Sequence, residues 1–500
     1  MICVPIVTDN LEDAIKDMAE ASKVADIIEL RLDYLKKPDL KLLLLERHTK
    51  PVIVTNRPVR EGGKFDGSEE ERISLLKLAI QLQADYVDIE HDSIQHISRG
   101  TVLRAPTSKT KIIVSYHNFS ETPDNLSEVY NKLSQSIADV IKIVTYANDI
   151  TDNIKIYQLL HQSKKPTISF CMGEYGIVSR ILYKRFGSYL TFASLQRGKE
   201  SAPGQISIHE LLNTYHIGKQ DGQTAIYGLI GNPVSHSISP IIHNTLFNEM
   251  GFNSIYVPFK VNNIGNFIRE FRGLDVKGYS VTIPHKESII NHLDAIDPMA
   301  KKIGAVNTVV NSDGKLIGFN TDCEAAIKAL HSVYKLSEVS KKDDHLKGKK
   351  VTLLGAGGAA RAIVFGLKER GAHITIINRN YERAQLLARD VGCLCRKLDD
   401  PQEIETDILI NATPVGMFPK VNETPIAKNK LKHNIVVFDT IYNPIETKLL
   451  QDAKALGCKV VGGLPMFIQQ AAAQFKLWTG RMPQIELIEK IAYEKLAMKQ

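Results

Sequence analysis

Apolar and polar residues alternate in blocks along the chain, and the blocks change character near residue 220. Before that point eight short runs rich in β-branched residues recur: ICVPIV (2–7), DIIELRLD (26–33), PVIVTNR (51–57), YVDIEH (86–91), KIIVSYH (111–117), VIKIVTYA (140–147), PTISFCM (166–172) and LTFAS (190–194). Several are apolar on both faces, as strands of a parallel sheet buried on both sides are. Stretches of helical length separate them, such as SEEERISLLKLAIQL (68–82) and LSEVYNKLSQSIA (126–138). A short helix is expected near 177–187. Eight strands alternating with helices predict a (β/α)8 barrel over 1–218.

The polar stretch HIGKQDGQT (216–224) ends this pattern, and an α/β pattern of another kind follows. Strand AIYGLIG (225–231) leads through NPVSHSISP (232–240) into a helix, with Ser239 and Pro240 at its expected start. GYSVTIPHKESIINHL (278–293) reads as strand, Pro-broken turn and helix, which brings Thr282 and Lys286 near one another. GFNTDCEAAIKAL (318–330) opens a further helix, where Thr321 and Glu324 have capping-box spacing and Asp322 falls in the first turn. The charged segment SKKDDHLKGKK (340–350) marks a boundary. The expected domains are therefore 1–218, 219–330 joined by a C-terminal return over 465–500, and 331–464.

The chain has 500 residues, 43% hydrophobic and 24% charged, the balance of a globular protein with large cores. No apolar run reaches the roughly 18 residues that cross a bilayer. The N-terminal MICVPIVTDN reads as an opening strand rather than a targeting segment, and six scattered cysteines without a C-x-x-C pair suggest reduced thiols and a cytoplasmic location. No metal site is expected. A net charge of +7 from dispersed basic residues suits small anionic substrates rather than nucleic acid.

Polar residues gather at the C-terminal ends of the first eight runs, where barrels of this kind build their sites. Glu29, Arg31 and Asp33 alternate on one face of the second run. Arg57 ends the third, Glu61 follows in a loop, Asp88 and Glu90 lie on the fourth, and His117 ends the fifth. Each has an alternative reading as a solvated loop residue. Lys142 lies inside the apolar run ADVIKIVTYA. Burial there favours the neutral amine that Schiff-base chemistry needs, unless the side chain snorkels to a strand end.

In the second half, VTLLGAGGAARAIVFGLKERGAHITIINR (351–379) is strand, glycine turn, helix and strand. Gly355, Gly357 and Ala360 hold the three positions of a dinucleotide fingerprint. The next strand ends in Asn378-Arg379, with Arg383 one turn later. No nearby carboxylate competes for a ribose hydroxyl, which favours NADP over NAD, unless these are merely surface arginines.

The ELRLDY, TNRPVREGGKFDG, VDIE, SYHNF, VIKIV, GIVSR and SAPGQ segments, in this order over 1–218, resemble type I 3-dehydroquinate dehydratase. The resemblance implies a barrel enzyme that removes water from 3-dehydroquinate through a lysine imine. Lys142 would form the imine, His117 would be the general acid/base, and Glu61 would orient it. Glu29, Arg31, Arg57, Arg180, Ser201 and Gln205 would line the substrate pocket, with Arg180 facing the carboxylate.

From about 225 onward, GNPVSHSISP, VTIPHK, GAVNTV, NTD, GAGGAARA, NATPVGM, DTIYNP and GGLPMFIQQA resemble shikimate dehydrogenase. This implies Lys286 and Asp322 as the catalytic pair, with Ser237, Ser239, Thr282, Asn307, Tyr442 and Gln470 on the substrate. The turn Gly355, Ala356, Gly357, Gly358 and Ala359, with Asn378, Arg379, Arg383 and Thr413, would bind NADP. Phe467 departs from the usual pattern and is expected to be neutral. Together the halves imply conversion of 3-dehydroquinate to 3-dehydroshikimate and then, with NADPH, to shikimate. Two rivals stand beside this reading. One is a second half that prefers quinate, and the other is a non-catalytic metabolite sensor on the same folds. The presence of Lys142, His117, Lys286 and Asp322 together argues against the sensor.

Overall fold

All eight expected runs of the first half form strands: β1 (Ile2–Ile6), β2 (Ile27–Arg31), β3 (Val52–Thr55), β4 (Tyr86–Glu90), β5 (Lys111–His117), β6 (Val140–Tyr146), β7 (Thr167–Met172) and β8 (Thr191–Phe192). In the computed structural model, which describes residues 1–46, 49–98, 109–333, 344–398 and 405–497, they form one parallel sheet in the order β7-β6-β5-β4-β3-β2-β1-β8. β8 is only two residues long, and the last seam is bridged by the Tyr189 N–H donating to Thr167 O at 2.8 Å. The intervening helix is split, Ile177–Ile181 and then Tyr183–Phe186. The helix Glu69–Gln81 starts where a capping box predicts. Ser68 Oγ accepts from Glu71 N, and the Glu71 carboxylate accepts from Ser68 N.

Parallel register decides what the barrel holds inside. Ile27, Ile53, Tyr86, Ile113, Val140 and Ile168 fill its lower interior. Two residues further along each strand the side chain points the same way. Ile27 is thus followed by Glu29 and Arg31, Tyr86 by Asp88 and Glu90, Ile113 by Ser115 and His117, and Val140 by Lys142. The apolar floor anchors the strands, and the charged residues rise above it at their C-terminal ends.

The chain separates into two compact units, Met1–Ile226 with Phe247–Leu274, and Tyr227–Leu246 with Asp275–Gln500. Residues 247–274, which the sequence reading includes in 219–330, fall in the first unit.

A six-stranded mixed sheet has the order β10-β9-β11-β13-β14-β12. Its strands are β9 (Ala225–Gly231), β10 (Ser254–Lys260), β11 (Gly278–Val281), β12 (Ala295–Ile296), β13 (Thr308–Ser312) and β14 (Lys315–Phe319). The helix Gly463–Thr479, the last but one of the described chain, docks on it. Gln474 accepts from Ser280 Oγ at 2.8 Å and donates to Asn307 O at 3.0 Å, and Trp478 Nε1 donates to Val309 O at 3.0 Å.

The third sheet is wholly parallel, in the order β17-β16-β15-β18-β19-β20. Its strands are β15 (Lys350–Leu354), β16 (His373–Ile377), β17 (Leu394–Arg396), β18 (Ile408–Asn411), β19 (Val436–Asp439) and β20 (Lys459–Val461). This is the doubly wound dinucleotide-binding order, with its switch point between β15 and β18. The segment 340–350 lies partly outside the described residues. No helix among the described residues is long and apolar enough to cross a membrane.

Two local expectations are corrected. Thr321 does not cap its helix through its side chain; Asn320 Oδ1 does, accepting from Asp322 N at 3.1 Å and Cys323 N at 3.2 Å. Thr321 is instead drawn to Asn307, whose Oδ1 accepts from its N–H at 2.8 Å. The helix expected to start at Ser239, with that serine as its N-cap, instead has Ser239 as its first residue. Ser237 Oγ accepts from Ser239 N at 3.1 Å.

Candidate active sites

The barrel mouth holds a cavity open to solvent and lined by Glu29, Arg31, Arg57, Glu61, His117, Lys142, Arg180, Ser201 and Gln205, with Phe119, Phe170, Met172 and Phe192 as apolar walls. Every residue that the resemblance assigns to this half therefore lies on one cavity. Lys142 is buried, its Nζ 2.8 Å from Asp88 and 3.7 Å from Glu29, with the Phe192 ring centroid 4.5 Å away. The sequence reading looks to desolvation to leave this lysine neutral. The structure instead surrounds it with carboxylates, because β4 and β2 point their charged residues into the same interior.

Asp88, placed at the barrel mouth by the sequence reading but given no role there, is the nearest carboxylate to Lys142. It also pairs with Arg57 at 2.7 Å, and Arg57 donates to Glu90 at 2.6 Å and Ser115 at 2.7 Å. Burial disfavours its charge, but Arg57 and Lys142 prevail and hold Asp88 well below the usual carboxylate range. Glu90 in turn accepts from the fully buried Arg72 at 2.6 Å. Two buried carboxylates spaced two apart on one strand were the available signal. Arg31 makes a forked pair with Asp33 at 2.9 and 2.7 Å.

His117 Nδ1 faces Glu61 Oε2 at 2.9 Å. Burial pushes Glu61 up to about 7 despite the opposing charge of Arg57. Burial, with Arg57 and Lys142 adding to it, pushes His117 well below the ordinary histidine value. The Glu61 loop turns at Gly62, φ +72°, where a Cβ would strike the Phe119 ring at 2.2 Å.

Arg180 differs from the other cations of the cavity. It is 1% exposed, its Nε and Nη2 have no hydrogen-bond partner, and it lies 4.2 Å from the Phe170 ring centroid. Burial lowers it to about 10. A buried guanidinium with free donors is a site for an anion. Gln205 Oε1 accepts from Ser201 N at 2.7 Å, while its Nε2 is buried without a partner.

In the second half, Lys286 Nζ lies 2.5 Å from Asp322 Oδ2. Asn307 Nδ2 donates to the other Asp322 oxygen and to Thr321 Oγ1, each at 2.9 Å, and Thr321 Oγ1 donates to Gln470 O at 3.3 Å. Gln470 thus joins the network through its backbone. Its side chain donates to Phe467 O at 3.0 Å. Thr282 shares the Lys286 turn, its carbonyl accepting from His285 N at 2.9 Å. Ser237 and Ser239 are 3.1 Å apart at their hydroxyls, and Ser237 hydrogen-bonds Tyr442, whose pKa burial raises. The Phe467 ring packs with its centroid 4.5 Å from that of Tyr442.

The glycine turn follows β15 at the switch point. Gly355 has φ +118°, and a Cβ there would meet Ala412 O at 2.9 Å, so a side chain is excluded. Gly357 begins the helix Gly358–Glu369 and borders open space, a cradle of backbone N–H groups fit for a pyrophosphate. Thr413, after β18, donates to Asn411 Oδ1 at 2.7 Å. Asn411 is held by Asp439 at 3.0 Å, a carboxyl that burial pushes up to about 6. Asn378 donates to Asn380 O at 2.9 Å and Arg379 is exposed. Arg383 is ion-paired with Glu287, from a segment 96 residues earlier. These residues fit a phosphorylated dinucleotide. Among the described residues no group of three or more His, Cys, Asp or Glu is placed to hold a metal.

Comparison with known proteins gives family matches along the chain in this order. Type I 3-dehydroquinase matches 2–221, the shikimate dehydrogenase substrate binding domain 229–309, shikimate / quinate 5-dehydrogenase 337–451, and the shikimate 5'-dehydrogenase C-terminal domain 463–493. A chloroplastic bifunctional 3-dehydroquinate dehydratase/shikimate dehydrogenase of Arabidopsis thaliana is 41% identical over 496 residues, 96% of this chain and 82% of the relative. A shikimate dehydrogenase (NADP(+)) of Bacillus cereus is 42% identical over 280 residues, 54% of this chain and 98% of the relative. A crystal structure of a shikimate dehydrogenase in complex with NADP+ matches with TM-score 0.51 and 41% identity, covering 55% of this chain and 97% of that one. A lysine among carboxylates in a barrel mouth, a lysine–aspartate pair beside a dinucleotide turn, and a relative that aligns across both assign the chain to the bifunctional 3-dehydroquinate dehydratase/shikimate dehydrogenase family.

Proposed function

We propose that the chain dehydrates 3-dehydroquinate to 3-dehydroshikimate in the barrel and reduces 3-dehydroshikimate to shikimate, with NADPH, in the second half. The observation that carries the first reaction is the pairing, in one cavity, of Lys142 with the unpartnered buried Arg180. Arg180 takes the substrate carboxylate. The Lys142 amine, its proton passed to a neighbouring base, adds to the ketone, and loss of water leaves a protonated imine. The imine draws electrons from the adjacent C–H bond, and neutral His117 removes that proton. The same histidine returns it to the departing hydroxyl, which leaves as water. A second water hydrolyses the imine and frees Lys142. Glu61 keeps the ring of His117 oriented, while Glu29, Arg31, Arg57, Ser201 and Gln205 complete the pocket.

For the second reaction Asp322 keeps Lys286 charged and oriented, and Lys286 supplies a proton to the oxygen that becomes negative as the ketone is reduced. Bound NADPH supplies the hydride. Ser237, Ser239, Thr282, Asn307, Tyr442 and Gln470 hold the substrate. The turn 355–359 with Asn378, Arg379, Arg383 and Thr413 holds the cofactor. The functional division is 1–218, 219–330 with 465–500, and 331–464, which the ranges of the family matches support. Six free cysteines are consistent with a reducing compartment such as the cytoplasm.

Product analysis of the full-length protein given 3-dehydroquinate tests the reading. 3-Dehydroshikimate should accumulate without NADPH, and shikimate should form with it. Absence of 3-dehydroshikimate would reject the first half, and its accumulation without shikimate in the presence of NADPH would reject the second.

A further inference from the structure

The segment that carries Lys286 is tied to the dinucleotide-binding lobe at two points. The stem of Lys286 crosses the start of the helix Gly358–Glu369, where a Cβ on Gly358 would lie 2.7 Å from Lys286 Cβ. The next residue, Glu287, then reaches two arginines of that lobe. Its Oε2 accepts from Arg361 Nε at 3.2 Å, and its Oε1 accepts from Arg383 Nη2. Arg361 has a further partner in Asp390, at 3.2 Å.

Arg383 is one of the residues assigned above to NADP, and its guanidinium, with that of Arg379, is the group suited to the 2′-phosphate. The donors of a guanidinium that grip a carboxylate are the ones that would grip a phosphate, so the two anions compete for it. We propose that Glu287 is a determinant of cofactor specificity. It occupies Arg383 until the 2′-phosphate of NADP displaces it, and it stays on Arg383 when the cofactor lacks that phosphate. The proposal rests on the assignment of Arg383 to the phosphate.

Two consequences follow from the charges. Glu287 holds Arg383 through Nη2, so a phosphate that takes that donor breaks an existing ion pair, and the chain then distinguishes NADP from NAD less steeply than with a free Arg383. The displaced carboxylate keeps Arg361, so the Lys286 segment remains tied to the lobe while Arg383 changes partner. The pair is partly exposed, 51% at Arg383 and 32% at Glu287, which limits the effect to a modest one.

The test is calorimetric binding of 2′,5′-ADP and of 5′-ADP to the full-length protein and to Glu287→Gln, Arg383→Gln and the double variant. Glu287→Gln should bind 2′,5′-ADP about fivefold more tightly, the scale of a partly exposed charge pair, with 5′-ADP unchanged. That gain should vanish when Arg383 is also replaced. An unchanged or weaker affinity of Glu287→Gln for 2′,5′-ADP, with Arg383→Gln still selectively impaired, would overturn the competition and leave the Arg383 assignment standing. A gain that persists without Arg383 would also overturn it, showing a general field effect. If Arg383→Gln bound 2′,5′-ADP and 5′-ADP as the wild type does, the phosphate assignment would fall and the proposal with it.

Discussion

His117 Nδ1 and Glu61 Oε2 are 2.9 Å apart, and burial moves the two groups in opposite directions, Glu61 up to about 7 and His117 well below its ordinary value. The proton in that hydrogen bond decides which nitrogen of His117 is a base. With Glu61 ionised, Nδ1–H donates to it and Nε2 keeps its lone pair. With Glu61 protonated, the carboxyl donates to Nδ1 and Nε2 carries the hydrogen.

Dehydration should therefore rise with pH through about 7 as Glu61 ionises. Glu61→Gln cannot titrate, and its amide carbonyl still accepts from Nδ1–H, so that limb of the profile should flatten. The maximum should fall about tenfold or more, as a charged partner to the imidazolium is lost. A pH–rate profile of the two proteins checks this, and an unchanged limb in Glu61→Gln would assign the ionisation elsewhere.

Borohydride added with 3-dehydroquinate should reduce the imine and leave an irreversible adduct, which mass spectrometry should find on Lys142. An adduct on another lysine, or none from active protein, would refute the assigned chemistry.

The two sites share no residue, so their losses should be independent. Lys142→Ala should abolish dehydration and leave reduction of 3-dehydroshikimate nearly intact. Lys286→Ala should lower reduction by roughly 10²–10⁴-fold, the usual scale for a positioned acid, with dehydration unchanged. Separate assays of both reactions decide this, and loss of both in a folded variant would require a coupled site.

Arg72 is fully buried and makes 2.6 and 2.7 Å pairs with Glu90 and Glu69, besides donating to Asn56 O at 3.0 Å. Arg72→Met leaves Glu90 with Arg57 alone and should destabilise the barrel by about 3 kcal/mol, the scale of a broken buried pair. Denaturant unfolding should show the loss, and Arg72→Lys should fall between the two because it restores charge without the fork.

Gly358→Ala places a methyl 2.7 Å from Lys286 Cβ, at the start of a helix that otherwise favours alanine. Reduction should drop, by up to about a hundredfold if Lys286 shifts by an ångström, with thermal stability and dehydration preserved. Equal loss of both reactions would point to unfolding instead.

Much of this protein was legible in the chain. Period-two runs place Glu29 with Arg31, and Ser115 with His117, on single faces, because successive residues of a strand alternate sides. Gly355 reads as a turn residue because only a residue without Cβ takes φ +118° so close to Ala412. These are local constraints, carried by neighbours in sequence. Burial alone suggested a neutral Lys142, whereas the register of β2 and β4 sets Glu29 and Asp88 beside it. Nothing in the sequence near Arg383 announces Glu287 as its partner, which the fold delivers from 96 residues away. The contact of Phe467 with Tyr442 likewise joins two segments that the sequence does not connect. Periodicity and turn chemistry determined the strands, the faces and the cofactor turn. Which charge meets which was decided only by the tertiary structure, because such pairs depend on register and packing between segments far apart in the chain.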